Sequence, residues 1–111
     1  MQRYEIEIYT RRDGRAPFEI WHHSLKDARA FLALQARVER AGRGDFGDWK
    51  KLSGAKGVFE MRISYAQGYR VFYTVIGQKI VLLLAGSTKQ EQDKAIAKAI
   101  EYFEDYKMRT T

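Results

Sequence analysis

The sequence predicts an α+β fold, a small and mostly antiparallel twisted sheet packed against helices, with elements in the order β-α-α-β-β-β-α. Three observations carry this. Residues Gly57 to Gln92 read as three consecutive strand-like segments that run directly into helical periodicity. Near the N-terminus, Tyr4, Ile6 and Ile8 alternate with Arg3, Glu5 and Glu7, the period of a strand with one wet face. Between these regions, apolar residues recur at helical spacing from Phe18 to Val38.

Arg3 to Thr10 is the first predicted strand, and its charged alternate face suits a sheet edge. Asp13-Gly14 is a turn signal, and Pro17 stands where a first helical turn tolerates a missing N–H. A short helix follows with Phe18, Trp21 and Leu25 on one side. Ser24 and Asp27 have the spacing of a capping box for a second helix, which carries Ala28, Phe31, Leu32, Gln35 and Val38 and ends near Gly42. Gly42 to Gly57 contains five glycines and is expected to be a long irregular connection whose basic residues ring a groove. In the strands that follow, Phe59, Met61, Ile63 and Tyr65 point one way and Glu60, Arg62 and Ser64 the other. A hairpin turn at Ala66, Gln67 and Gly68 leads to a strand with Tyr69, Val71, Tyr73 and Val75 opposite Arg70, Phe72, Thr74 and Ile76. Ile80 to Ala85 is apolar on both faces, as a central strand covered on two sides should be. Ser87 with Gln90, or Thr88 with Glu91, offers a capping box for a last helix that buries Ala95, Ile96, Ala99, Ile100 and Phe103.

With 111 residues the chain matches one domain, residues 1–111, with one core. Apolar residues at 45% argue against disorder. The run from Ile80 to Ala85 is too short to span a bilayer, and MQRYEIEIYT lacks the apolar stretch of a signal peptide, so a cytoplasmic protein with no membrane partner is expected. The absence of cysteine excludes disulfides, thiolate catalysis and Cys-based metal sites. Twenty Lys and Arg against fourteen Asp and Glu give a formal charge of +6, which favours nucleic acid or an acidic protein as partner.

Asp45-Phe46-Gly47 spells the magnesium-binding triplet of kinases, but the chain is far too short and lacks the glycine-rich and catalytic loops. His22 and His23 splay about 100° apart on a helix and cannot share one metal; both are expected at the surface. No carboxylates have metal spacing, so neither a metal nor a cofactor is expected. What remains is Arg62, Arg70, Lys89 and Glu60, with Lys50, Lys51, Lys56 and Arg43 as further cations for a polyanion backbone. RNA cleavage without metal needs a base for the 2′-OH proton, cations for the phosphorane and an acid for the leaving oxygen. A guanidinium forks onto two phosphate oxygens and stays protonated, so Arg62 and Arg70 suit the cation role and not the base. If their side chains share a face, both converge near the start of the last helix, where free N–H groups also favour anions. Alternatively the strand arginines serve only ion pairs, with Glu60 or with Glu91 or Asp93, and Glu60 beside Arg62 simply neutralises it.

The ordered set PFEIWHHSLKD, RGDFGD, GVFEMRI, GYRVFY, IVLLLAGSTKQEQ and DKAIAKAIEYF resembles the addiction-module killer proteins, a HigB-like branch of the RelE/ParE toxin superfamily, from about Ile6 to Ala99. The resemblance implies a RelE-like fold and a type II toxin that cleaves mRNA in the ribosome, neutralised by a cognate antitoxin, often a helix-turn-helix protein. It places Arg62 where such toxins have a catalytic lysine, Arg70 at their arginine and Glu60 at a second lysine. Lys89 or Gln90 replaces the arginine after the last strand, and Ile96 the tyrosine of the final helix. The expected activity is thus a ribosome-dependent mRNA endonuclease with Arg62, Arg70, Lys89 and Glu60 as catalytic residues and Lys50, Lys51, Lys56 and Arg43 on RNA. A ParE-like gyrase poison and a non-catalytic basic interaction domain are the alternatives, and the nuclease reading expects Arg70→Ala to abolish toxicity in a folded protein.

Overall fold

A computed structural model of the chain describes residues 2–55 and 57–110; Lys56 lies outside them. The elements are β1 (Glu5–Ile8), α1 (Pro17–His23), α2 (Ala28–Gly42), β2 (Trp49–Lys51), β3 (Phe59–Ile63), β4 (Tyr69–Ile76), β5 (Ile80–Thr88), a 3₁₀ turn (Lys89–Glu91) and α3 (Gln92–Arg109). One five-stranded sheet runs β1-β5-β4-β3-β2, with β1 parallel to β5 and the other pairs antiparallel. The α+β class and the expected element order hold, with one strand more.

That strand is β2. Its three residues pair with β3, Trp49 opposite Met61 and Lys51 opposite Phe59, inside the stretch expected to be irregular. A Trp-Lys-Lys triplet among glycines has no period of its own, so only the neighbouring strand makes it one. The first strand is shorter than expected and lies at the opposite edge.

The sheet separates two cores. On one face Met61, Ile63, Tyr69, Val71, Tyr73, Val81 and Leu83 pack with Phe18, Ala30, Leu34 and Ala41 of α1 and α2. On the other, Phe72, Leu82, Leu84 and Ala85 meet α3 through Ala95, Ile96, Ala99, Ile100 and Phe103. Period-two alternation assigned these faces correctly, because a pleated strand admits no other arrangement.

Helix ends depart from expectation. Asp27 alone caps α2, its carboxylate accepting from the N–H groups of Arg29 and Ala30, while Ser24 ends α1 with its hydroxyl on the Trp21 carbonyl. No side chain caps the 3₁₀ turn or α3; Ser87 instead donates to the Thr88 carbonyl. His22 is also not a surface residue: its ring stacks on Phe31 with centroids 3.9 Å apart, and Nε2 lies 2.9 Å from the Phe31 carbonyl. Its helical position faces the second helix, which periodicity within α1 alone does not reveal. His23 is exposed, as expected.

Gly86 and a bulge in β5 shape the sheet end where α3 begins. Pairing shifts between Phe72 and Tyr73, which oppose Ala85 and Leu83, so Leu84 is the extra residue. After it, Gly86 faces α1 and Ser87 the α3 side opposite Arg70; uninterrupted alternation would exchange them. Any Cβ on Gly86 would overlap the Trp21 indole, which packs directly on that backbone. Gly86→Ala is therefore expected to displace Trp21 and cost roughly 1–3 kcal/mol, read as a lowered denaturation midpoint with unchanged m-value.

Candidate functional site

Arg62 on β3 and Arg70 on β4 are direct cross-strand partners, so both side chains leave the sheet on the α3 face. Two like charges in this position repel, and the structure separates them by giving each its own carboxylate. Arg70 is buried, with Nε 3.7 Å from Glu60 Oε2 and donating over 3.1 Å to Gln92 Oε1, and Nη1 donating to the Tyr69 carbonyl. Arg62 keeps 37% of its side chain exposed and meets the exposed Asp48 at 3.4 Å. Glu60 thus pairs with Arg70 rather than with its strand neighbour Arg62, and neither Glu91 nor Asp93 receives a strand arginine: Gln92 does.

The arginines therefore differ in kind. Arg62 is an accessible cation, whereas Arg70 is held among buried groups, with Glu60 only 3% exposed. Two polar atoms on this face, Arg62 Nε and Glu60 Oε2, are buried without a hydrogen-bond partner.

Lys89 joins them through the turn between β3 and β4. Gly68 adopts φ +87°, closing on the Tyr65 carbonyl, and its own carbonyl accepts from the Lys89 N–H. A Cβ there would stand 3.3 Å from Lys89 Cβ and 3.9 Å from Arg70 Nη1, so glycine permits the left-handed turn and leaves room for the Lys89 and Arg70 side chains that both flank it.

Of the outer cations, Lys50 opposes Glu60 in register and shares the arginine face, while Lys51 opposes Phe59 and leaves on the other. Pleating separates neighbours that lie together in sequence. Arg43 follows α2 beside the first residues of the chain, where Arg3 and Tyr4 donate to the Gly42 carbonyl, and is not part of the patch. The placement of Lys56 is not described. The structure thus gathers Arg62, Arg70, Glu60, Lys89 and Lys50, and leaves Lys51 and Arg43 outside.

Three residues at this site escaped the sequence reading. Gln92 holds Arg70 from the first turn of α3, Ser87 is buried opposite it, and Arg37 reaches in from α2. Arg37 donates from Nη1 to the Arg62 carbonyl over 2.8 Å and from Nη2 to the carbonyls of Phe46 and Asp48, while the Arg62 N–H donates to the Asp48 carbonyl. Burial, and after it the charge of Arg40, lowers its pKa. Gly47, at φ +61°, completes the clip, since a Cβ would lie 2.7 Å from Arg37 Nη2. The Asp45-Phe46-Gly47 triplet thus serves a turn: Asp45 accepts from the Gly47 N–H and from Arg40, and Phe46 stacks on Tyr73 at 5.2 Å. Arg37→Met is expected to strand these carbonyls, lower stability by roughly 1–3 kcal/mol and loosen Arg62, seen as faster exchange of the β2 and β3 amides.

Chemically, the patch offers one accessible guanidinium with the exposed Asp48 beside it, one anchored guanidinium, two ammonium groups and the buried Glu60 carboxylate. It can bind an anion, and its groups able to accept a proton at neutral pH are the carboxylates of Glu60 and Asp48. Among the described residues no three His, Asp or Glu are grouped to hold a metal ion, and no helix is long and apolar enough to cross a membrane.

The fold is that of RelE: a double arginine-to-alanine mutant of the E. coli toxin RelE in the free state superposes with a TM-score of 0.65 at 17% identity, covering 91% of this chain and 97% of that one. An uncharacterized protein of Haemophilus influenzae (strain ATCC 51907 / DSM 11121 / KW20 / Rd) is 42% identical over 82 residues, 74% of this chain and 81% of its own length. Residues 21–105, which include every element from the end of α1 into α3, match the model of the phage-derived Gp49-like proteins, DUF891, and the chain belongs to that family.

Proposed function

We propose that this protein is the toxin of a type II toxin–antitoxin pair, in the HigB-like branch of the RelE toxins, and that it cleaves mRNA on the ribosome in the cytoplasm without a metal. The observation that carries the reading is the register of Arg62 opposite Arg70 on the α3 face of a RelE-like fold, with Lys89 beside them. A scissile phosphate placed here meets the exposed tip of the Arg62 guanidinium, which exchanges its solvent-exposed partner Asp48 for the phosphate oxygens. Arg70 holds Glu60, the group that takes the 2′-OH proton as the 2′ oxygen bonds to phosphorus, and Lys89 gives a proton to the 5′ oxygen as its bond to phosphorus breaks. Lys50 follows the RNA backbone on the same face. Because Glu60 is covered in the free protein, the ribosome is assigned the task of presenting a distorted mRNA that reaches it. The partner that silences the toxin is a cognate antitoxin, a helix-turn-helix protein encoded next to it.

The buried pair of Arg70 and Glu60 favours a second reading, a basic interaction domain whose strand arginines only stabilise the sheet. Brief induction followed by mapping of RNA ends separates the readings. Cuts within translated reading frames and arrest of protein synthesis are expected. Intact mRNA with double-strand breaks and an SOS response would identify a ParE-like gyrase poison, and harmless expression the interaction domain.

A further inference from the structure

The sheet has an edge that its own chain leaves open. β1 pairs with β5 only from Ile80 to Leu83, and the Tyr9 N–H closes the ladder on the Leu83 carbonyl. β5 continues to Thr88, so on that side Leu84 to Thr88 have no strand partner among the described residues. In a strand, every second residue directs its N–H and C=O to the same side, which leaves main-chain groups unpaired here. Natural sheets cover such an edge or charge it.

The side chains of Leu84, Ala85 and Ser87 are themselves buried between α1 and α3, and what this edge leaves accessible is the backbone of Ala85, Gly86 and Ser87. It floors a groove of about 240 Å³, walled by Pro17 and Trp21 of α1 and by Lys94, Ala95, Lys98 and Tyr102 of α3. The walls are mainly apolar, as pockets for alternate side chains of an added strand are. Lys94 and Lys98 lie one helical turn apart on the same face of α3. Among the described residues Lys94 has no carboxylate partner, and Lys98 meets Glu101 at 3.8 Å with 59% of its side chain exposed. Glu91 is the one carboxylate in the lining.

We propose that this groove docks an extended acidic peptide of a protein partner, which adds as a strand to β5 at Leu84–Thr88 beyond the end of β1. Its backbone completes the open ladder, its apolar residues face Trp21 and Ala95, and its carboxylates meet Lys94 and Lys98. A peptide fits better than single-stranded RNA, because the Trp21 indole packs on Gly86 and is not free to stack on a base. The surface lies on the β1 side of α3 and stands whether or not the protein cleaves RNA.

Amide NMR of the full chain, titrated with acetyl-Glu-Val-Glu-Val-Glu-Val-amide, tests this. The expected result is shifts centred on Leu84–Thr88 and Trp21, slowed exchange of the Leu84–Thr88 amides, and affinity at least tenfold above that for the Lys-Val counterpart. Lys94→Glu with Lys98→Glu, both at exposed sites, should reverse that preference, and N-methylation of alternate peptide amides should abolish binding. The proposal is overturned by no shift at millimolar peptide, by equal binding of the acidic and basic peptides, or by full binding of the methylated one. A uridine hexanucleotide that perturbs the same amides more tightly, or a chain that self-associates through this edge in sedimentation equilibrium, would overturn it equally.

Discussion

Arg70→Ala is expected to destabilise the protein severely, not merely to inactivate it. The substitution leaves Glu60 as a charge in the interior, 3% exposed, with its cation gone and the Gln92 carbonyl without its donor. Stranding one member of a buried pair costs about 3–5 kcal/mol. For a domain of this size that corresponds to a fall in Tm on the order of 10–20 °C. The sequence alone suggested a fold-neutral substitution, because burial of the pair is invisible there. Removing both charges with Arg70→Met and Glu60→Leu should recover most of the stability, since apolar replacement of a buried pair is often close to neutral. Thermal unfolding of the single and double variants checks this, and a single variant as stable as the parent would refute the buried-pair account. If the proposed chemistry holds, the double variant is folded and inert.

Arg62→Ala is expected to have the converse effect: the fold is kept, and the mRNA cleavage proposed above is lost. Its partner Asp48 is 62% exposed, and an exposed ion pair contributes at most about 1 kcal/mol. Loss of one preorganised donor to a developing oxyanion typically lowers rate by about 10²–10³-fold. Relief of growth arrest, with ribosome-bound mRNA left uncut and an unchanged melting curve, is the expected observation. A fully toxic Arg62→Ala protein would remove the exposed guanidinium from the mechanism. Together the two substitutions distinguish a cation that acts on a ligand from one that holds the site together.

Much of the fold was legible because its signals are local. Alternation from Phe59 to Ile63 and from Tyr69 to Ile76 assigned the sheet faces, and 3.6-residue spacing placed the helices over them. The shared face of Arg62 and Arg70 was left conditional by the sequence, because β4 is apolar on both sides; it is the register after the Ala66–Gly68 turn that sets them opposite one another. The site was legible only in part. Arg37, Gln92 and Ser87 belong to α2, α3 and the end of β5, and nothing near them in sequence marks them.

By itself the sequence determined the class of fold, the two core faces and which strand positions carry arginine, since periodicity is a property of neighbouring residues. Only the tertiary structure decided that Arg70 is committed to Glu60 while Arg62 stays accessible, that Lys50 and Lys51 part company, and that β5 outruns β1. Each of those outcomes is set by what another segment places against the residue, and such long-range contacts leave no local pattern in the chain.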